Sequence, residues 1–81
     1  MKRWHVYILR CSDSSLYTGI STNVAERVLK HNAGKGAAYT RSHRPVTLVW
    51  SRPSKTESAA RKREAKIKRW SKQEKEDFLK T

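Results

Sequence analysis

The chain opens with two short segments in which apolar residues alternate with other residues. These segments cover residues 6–9 and 16–20, follow a basic lead at residues 1–3, and are separated by the polar residues 11–15. Alternation with a period of two is typical of β-strands, and a short polar run between two strands favours a hairpin connection. The first twenty residues therefore predict an antiparallel pair of strands.

The length of the hairpin loop decides which side chains share a face. If Cys11 pairs with Ser15 across a three-residue loop, Tyr7 lies opposite Gly19 and on the same face as Tyr17. A two-residue loop would place the tyrosines on opposite faces. The missing Cβ at Gly19 would leave room for the Tyr7 ring or for a ligand. An ordinary half-buried strand residue is the alternative for each tyrosine.

The segment after the second strand has the pattern of an amphipathic helix. Asn23 and Glu26 have the spacing of a capping box, and Gly34 predicts the end of the helix. Arg27 and His31, four residues apart, share one face beside the apolar stripe. Two neighbouring cations repel each other, which favours an anion at this place. The predicted apolar stripe consists of Val24, Val28 and Leu29.

Residues 32–45 are mostly polar and predict a loop with one helical turn around residues 37–41. Gly34 and Gly36 flank Lys35, and glycines beside bases suit a backbone that approaches phosphates, although the spacing matches neither a Walker loop nor a Rossmann turn. We interpret this segment as a binding loop, with an ordinary surface connection as the equal alternative. Its candidate nucleic-acid contacts are Lys35, Tyr39, Arg41 and Arg44.

The second half of the chain predicts one more strand and two more helices. Residues 46–50 are almost continuously apolar, which predicts a third strand in the centre of the sheet. Ser54 and Glu57 have the spacing of a capping box, and the helix that they begin would run to about Trp70. A last short helix is expected to begin at Ser71 and to pack its apolar end back on the domain.

Glu64 is the one acidic residue on the apolar side of the longer helix. It follows Ala60 by four positions and precedes Ile67 by three, so it points with these apolar residues. A carboxylate on the buried side of a helix needs a cation, a donor or a metal ion to offset its desolvation. A structural salt bridge to Arg61, to Lys68 or to a cation elsewhere in the core is the plain alternative to a functional role.

Length and cysteine usage limit the class of protein. The 81 residues allow one domain, residues 1–81, with a modest core. The single cysteine, Cys11, excludes an internal disulfide and a zinc site built on a cysteine pair, which favours a reducing, cytoplasmic location. No apolar run is long enough for a membrane span or the core of a signal peptide.

Charge is the strongest feature of the composition. There are 19 Lys and Arg residues against 7 Asp and Glu residues, a formal net charge of +12. Such an excess on a small surface attracts polyanions, so nucleic acid is the expected partner. A merely soluble basic protein or one that binds acidic lipid is the alternative, although no amphipathic membrane helix is evident.

Two three-residue motifs carry a resemblance to a known family. Val6-Tyr7-Ile8 is followed, after the hairpin, by Tyr17-Thr18-Gly19. The helical residues that follow these motifs are Asn23, Arg27, His31 and Glu64. In order and spacing the set resembles the GIY-YIG nuclease superfamily over nearly the whole chain. Residues 34–41 resemble its small single-domain bacterial branch.

The resemblance implies an α+β fold with a small three-stranded antiparallel sheet flanked by helices. It also implies hydrolysis of phosphodiester bonds with one divalent ion, Mg²⁺ or Mn²⁺. We therefore expect a monomeric endonuclease that acts on DNA rather than RNA. Branched, damaged or single-stranded DNA is the candidate substrate, and DNA repair is the expected context. A non-catalytic nucleic-acid-binding module that keeps the fold is the alternative.

The resemblance also implies a role for each site residue. Tyr7 or Tyr17 would be the general base, Arg27 would stabilise the phosphate, and His31 would transfer a proton or contact the phosphate. Glu64 would hold the metal ion. The reference pKa of tyrosine, about 10, is too high for a good base at neutral pH, so a nearby cation or a metal-bound water would have to lower it.

Three further positions bear on how closely the chain resembles the family. Asn23 matches a position that the family often fills with asparagine, so it is a candidate nucleic-acid contact as well as a helix cap. Ile20 stands where several members have a lysine, which means that Lys35 takes over this role or that activity is low. The first motif begins with Val6 in place of glycine, a variation that we expect to be harmless.

Overall fold

The computed structural model describes residues 3–81, so most of the expected basic lead, residues 1–2, lies outside the described residues. The described chain forms three strands and four helices, and the predicted α+β class is confirmed. In chain order these are β1 (Trp4–Arg10), β2 (Leu16–Ser21), α1 (Val24–Asn32), α2 (Ala38–Arg41), β3 (Thr47–Ser54), α3 (Glu57–Lys68) and α4 (Lys72–Leu79).

The hairpin of β1 and β2 has the predicted register. The backbone N–H of Cys11 donates to the carbonyl of Ser15 at 2.8 Å, which closes the three-residue loop. Tyr7 lies opposite Gly19, and Tyr17 lies opposite Leu9, so both tyrosines are on one face. A Cβ at position 19 would lie 2.5 Å from the Tyr7 hydroxyl oxygen. Glycine is required here because the Tyr7 ring crosses β2 at this point.

The prediction that the third strand is central is wrong. The strand order is β2-β1-β3, so β1 is the central strand and β3 is an edge. Both faces of β1 are covered, since Val6, Tyr7, Ile8 and Leu9 are all buried. Most of β3 is exposed, and it continues through Pro53, which lacks a backbone donor and is tolerated at an edge.

The sheet separates two hydrophobic clusters. Val6 and Ile8 face α3, where they pack with Ala60 and Ile67 and with partly buried aromatic residues. On the other face, Tyr7 and Leu9 pack with Cys11 and Val46 and with partly buried residues of β2 and α1. Because side chains alternate along β1, every second residue of this strand points to the sheet face that carries α1.

Two of the three predicted helix starts are confirmed. The Asn23 side chain accepts from the backbone N–H of Glu26 at 3.1 Å, and a complete capping box joins Ser71 and Glu74 at the start of α4. The start predicted at Ser54 is wrong, because β3 continues to that residue and the Thr56 side chain caps α3 instead. A polar residue two positions later offered an equally good cap.

The apolar stripes are confirmed only in part. Ala60 and Ile67 are buried as expected on α3, but Leu29 of α1 is 71% exposed, so its predicted place in the core is wrong. The end of α4 packs on the domain through Phe78 and Leu79. None of the helices in residues 3–81 has the length and apolar composition that crossing a bilayer requires.

Candidate active site

Side chains from β1, β2 and α1 meet on the sheet face that carries α1. The Tyr7 hydroxyl lies 2.9 Å from Nε2 of His31, and the ring centroids of Tyr17 and His31 are 5.3 Å apart. A cavity of about 370 Å³ opens beside them and holds Arg27 as well. The cavity is also lined by Lys30, Lys35 and Gly36.

Three hydrogen bonds assign the proton positions around His31. The Thr40 hydroxyl donates its one proton to the Ala37 carbonyl at 3.0 Å, so its oxygen accepts from Nδ1–H of His31 at 2.6 Å. A neutral imidazole carries one N–H, so Nε2 has a free lone pair and accepts from the Tyr7 hydroxyl. Tyr7 is therefore a donor, and His31 is a neutral acceptor.

The electrostatic environment agrees with this assignment. Burial lowers the pKa of His31, and the nearby charge of Arg27 lowers it further, so the ring is neutral near pH 7. Burial also raises the pKa of Tyr7 to about 12; Tyr17 and Glu64 add to this effect, and Arg27 opposes it. Arg27 thus lowers the pKa of Tyr7 in the expected direction, but burial outweighs this effect and the pKa stays above its ordinary value.

Gly36 provides the space for the His31 ring. A Cβ at position 36 would overlap the imidazole at Nδ1. Gly34 has a positive φ of 79° and follows the C-terminal end of α1, as its predicted role requires. In the structure these two glycines are explained by helix termination and by packing against His31.

Tyr17 differs from Tyr7 because it is only half-buried and lines the cavity. Its ring stacks on Tyr39, with centroids 6.2 Å apart, and Tyr39 in turn stacks on His43 at 4.2 Å. The ammonium group of Lys68 lies 5.8 Å from the centre of the Tyr17 ring. Tyr17 thus occupies the accessible position and Tyr7 the buried one.

Glu64 belongs to α3, which covers the other face of the sheet, but its charge and its partner Lys68 reach the tyrosines. Its side chain is 19% exposed and its carboxylate is 3.1 Å from the Lys68 ammonium, which is the salt bridge that was the alternative to a functional role. The negative charge of Glu64 also raises the pKa of Tyr7. The carboxylate therefore belongs to the electrostatic surroundings of the phenol, although Glu64 does not line the cavity.

A metal ion would have to rely on few protein ligands. Residues 3–81 contain no cluster of three or more His, Cys, Asp or Glu side chains that could hold an ion. Mg²⁺ usually keeps several waters and binds through one or two carboxylates plus substrate phosphates. Glu64 fits an ion of this kind, provided that the exposed Lys68 side chain moves away from the carboxylate.

The candidate nucleic-acid contacts occupy different places. Lys35 lines the cavity beside His31, and Tyr39 is 41% exposed beside Tyr17. Arg41 and Arg44 line a separate open cavity of about 410 Å³, where Nε of Arg44 donates to the carbonyl of Arg41 at 3.1 Å. Asn23 is exposed and its side chain caps α1.

Sequence reasoning missed three residues of the site. Lys30 lies in the cavity three positions after Arg27, so helical spacing on α1 could have identified it. Thr40 and the contact of Gly36 with His31 had no such signal, because the turn after α1 and the short helix α2 bring them to the ring without any regular spacing from His31.

Comparison with known proteins agrees with this fold. The family model for the GIY-YIG catalytic domain matches residues 3–77, and the chain belongs to this family. The resemblance carried by the two tyrosine motifs is thereby confirmed. GIY-YIG domains are generally found in endonucleases, which places the chain in a nuclease family.

The relatives of the chain within this family are UPF0213 proteins. A UPF0213 protein of Staphylococcus haemolyticus is 51% identical over 75 residues, which cover 93% of this chain and 92% of the relative. A UPF0213 protein of Desulfotalea psychrophila is 50% identical over 78 residues, 95% of this chain and 71% of the relative. These proteins are named without an activity.

Two solved structures share the fold. The solution NMR structure of the UPF0213 protein BH0048 from Bacillus halodurans is 40% identical, with a TM-score of 0.63, and the match covers 96% of this chain and 83% of that one. The NMR structure of the protein EF2693 from E. faecalis is 38% identical, with a TM-score of 0.66, and the match covers 99% and 85%.

Proposed function

We propose that this protein is a metal-dependent endonuclease that hydrolyses phosphodiester bonds in DNA, as a cytoplasmic monomer. The proposal rests above all on the hydrogen bond from the Tyr7 hydroxyl to the unprotonated Nε2 of His31, next to Arg27 in a cationic cavity. A phenol joined to a neutral imidazole is an acid–base pair, and nuclease chemistry requires one. Branched, damaged or single-stranded DNA is the proposed substrate, and DNA repair is the proposed context.

The raised pKa of Tyr7 determines how this pair would work. A phenol with a pKa of about 12 does not lose its proton to solvent at neutral pH. As the attacking water gives a proton to the Tyr7 oxygen, Tyr7 passes its own proton to Nε2 of His31. The new oxygen–phosphorus bond forms while the bond to the leaving oxygen breaks, and the leaving oxygen keeps the electron pair of that bond and takes a proton from solvent. Tyr7 is the proposed base, with His31 as the proton acceptor behind it.

The cations of the cavity would bind and stabilise the phosphate. Arg27 presents a planar guanidinium that can donate two parallel hydrogen bonds to phosphate oxygens, and these become stronger as charge accumulates on them. Lys30 and Lys35 line the same cavity and would contact neighbouring phosphates. Lys35 would supply the charge that several family members carry at the position of Ile20. Tyr17 would position the substrate from the accessible side of the cavity.

Glu64 is the proposed ligand of one Mg²⁺ or Mn²⁺ ion. A bound divalent ion would supply Lewis-acid stabilisation of charge on the phosphate oxygens. The half-buried Glu64 carboxylate, at present paired with Lys68, would contribute one oxygen ligand. The exchange of Lys68 for a divalent ion keeps the carboxylate paired with positive charge in both states.

A non-catalytic nucleic-acid-binding module is the second candidate. The ion pair of Glu64 with Lys68 and the apolar Ile20 favour this alternative, because both reduce the similarity to an active metal site. Both candidates predict binding that weakens with salt, since phosphate contacts release counterions. Only cleavage distinguishes them.

A cleavage assay with Mg²⁺ or Mn²⁺ tests the proposal on duplex, nicked, flapped and single-stranded DNA. We expect the wild-type protein to cleave at least one of these, and Arg27→Ala and Glu64→Ala to abolish cleavage while binding is largely retained. Lys62→Ala is the matched control, because Lys62 is exposed on α3 outside the cavity. A wild-type protein as inert as both variants on every substrate would favour the binding module.

A further inference from the structure

A second cavity lies on the opposite side of the sheet, between β3, α3 and α4. Its volume is about 340 Å³, and it shares no lining residue with the catalytic cavity. We call it the aromatic groove. Its lining includes three aromatic and three cationic residues, namely Trp50, Trp70, Phe78, Arg52, Arg63 and Lys66.

The aromatic residues form a connected, half-buried floor. Trp50 meets Phe78 edge to face with ring centroids 5.2 Å apart, and Trp70 meets Phe78 at 5.1 Å. All three rings pack against the buried cluster of the α3 face, to which Ile67 belongs. A floor anchored in this way offers flat apolar surface whose orientation is already fixed before a ligand binds.

The cationic residues surround this floor, and the groove itself has no acidic lining residue in the described part of the chain. Glu74 and Asp77, however, line an adjoining cavity together with Trp70 and Phe78. The guanidinium carbon of Arg52 lies 5.9 Å from the centre of the Trp50 ring. Arg63 and Lys66 project from α3, and neither they nor Arg52 take part in any of the salt bridges within residues 3–81. The groove therefore joins stacking surface to positive charge that is available for a ligand.

We infer that the aromatic groove binds an unpaired nucleobase together with its flanking phosphates, in a single-stranded segment of nucleic acid. Proteins that bind single strands combine a cationic groove with aromatic rings on which bases stack. The bases of a duplex are already stacked in pairs and cannot enter the groove. An acidic peptide would satisfy the cations but would leave the aromatic floor without a partner.

Helix α3 connects the groove to the catalytic side. Arg63 lines the groove, and the next residue, Glu64, is paired with Lys68 beside Tyr17. A nucleic acid bound at both the aromatic groove and the catalytic cavity would place the junction between its base-paired and single-stranded segments at the catalytic cavity. This last consequence rests on the proposed nuclease activity, whereas strand binding in the groove does not depend on cleavage.

Tryptophan fluorescence provides a direct test. Trp4, Trp50 and Trp70, which are all the tryptophans of the chain, pack on the α3 face, so the signal reports this side and not the catalytic cavity. We expect a short oligothymidylate to quench it, because a base stacks on the floor. A strand of abasic nucleotides has the same phosphates without bases, and we expect it to cause little quenching.

A pair of double variants separates the groove from diffuse charge. Arg63→Ala with Lys66→Ala should weaken oligothymidylate binding about tenfold, through the loss of two phosphate contacts and of base positioning. Lys62→Ala with Arg69→Ala removes two exposed cations of the same region outside the groove and should weaken it clearly less. Equal losses in the two double variants, or equal quenching by the abasic strand, would overturn the inference.

Other anions provide the remaining comparison. Polyglutamate and acidic lipid vesicles carry negative charge without bases, so we expect neither to reproduce the quenching that oligothymidylate causes. Quenching by polyglutamate that equals the effect of the oligonucleotide, and that Arg63→Ala with Lys66→Ala removes, would assign the groove to acidic polypeptides and overturn the nucleobase assignment. The same result with vesicles would assign it to a membrane surface.

Discussion

The two faces of β1 differ in chemistry although adjacent residues alternate between them. On one face, Val6 and Ile8 contact only apolar and aromatic partners in the cluster with α3. On the other, Tyr7 is buried to the same degree but ends in a hydrogen bond to His31. Burial on the first face stabilises the fold, whereas burial on the second also controls the protonation of a hydrogen-bonded pair.

This difference shows how so small a domain can hold a polar site. A buried polar group costs free energy unless it has a hydrogen-bond partner. Tyr7 donates to His31 and His31 donates to Thr40, so each of these three buried side chains has a partner. The cluster on the α3 face consists of apolar and aromatic side chains and can supply hydrophobic stabilisation, although the Thr18 hydroxyl, opposite Ile8 on β2, is buried on this face without a hydrogen-bond partner among the described residues. Variants on the two faces should therefore separate activity from stability.

Tyr7→Phe and Ile8→Ala test this separation and should give the largest effects. Loss of the Tyr7 hydroxyl removes the proposed base, so we expect cleavage to fall by about 10²–10⁴-fold. Ile8 is fully buried on the opposite face, so its truncation should cost about 2–5 kcal/mol of unfolding free energy. Single-turnover assays measure the cleavage rate, on variant protein shown to be folded. Urea unfolding measures the unfolding free energy.

Tyr17→Phe is the control for the assignment of the base. Tyr17 lines the cavity but makes its aromatic contacts through its ring, which phenylalanine preserves. We expect a smaller loss of cleavage than for Tyr7→Phe. The reverse order would transfer the role of general base to Tyr17 and contradict the proton path through His31.

The same comparison shows what could be predicted from the sequence. The hairpin and its register were predictable, because alternation and a glycine opposite Tyr7 are local features. The edge position of β3 was not predictable, because an apolar run does not show which strand of a sheet pairs with another strand on each of its two sides. Leu29 was assigned to the core by helical period alone, but no element covers that side of α1 enough to bury it.

The hydrogen-bond partners of the site were the least predictable part. Thr40 lies nine residues after His31, beyond the turn at Gly34, and no spacing rule joins the two. The aromatic groove needs residues from β3, α3 and α4 at once, so it exists only after the tertiary fold has formed. Sequence patterns predicted elements and single candidates, whereas the partners of these candidates required coordinates.

Thr40→Val is expected to give an intermediate effect on the polar face. Valine has a similar shape but leaves Nδ1–H of His31 buried without an acceptor, which should cost about 1–3 kcal/mol of unfolding free energy. Without this acceptor the ring is no longer held with Nε2 free, so cleavage should fall about tenfold, the effect of one lost hydrogen bond. Thr40→Ser keeps the hydroxyl and should retain near-wild-type cleavage, whereas equal losses in both variants would point to packing alone.

The smallest expected effect is a pH dependence of stability from His31. Its pKa is lower in the folded protein than its ordinary value of 6.5, because of burial first and then Arg27. The folded state therefore binds fewer protons than the unfolded chain below about pH 6.5, and stability should decrease as the pH falls, by at most about 1.4 kcal/mol per pH unit.

Urea unfolding between pH 8 and pH 5.5 measures this contribution against His31→Gln. The groups that face the ring are Tyr7 of β1, Tyr17 of β2, Arg27 of α1 and the hydroxyl of Thr40. Histidine is the side chain whose ordinary pKa lies between pH 5 and pH 8, so His31 is the group of this set that we expect to change charge. His31→Gln should flatten the lower part of the curve, and an unchanged slope would mean that the protonation of His31 does not differ between the two states.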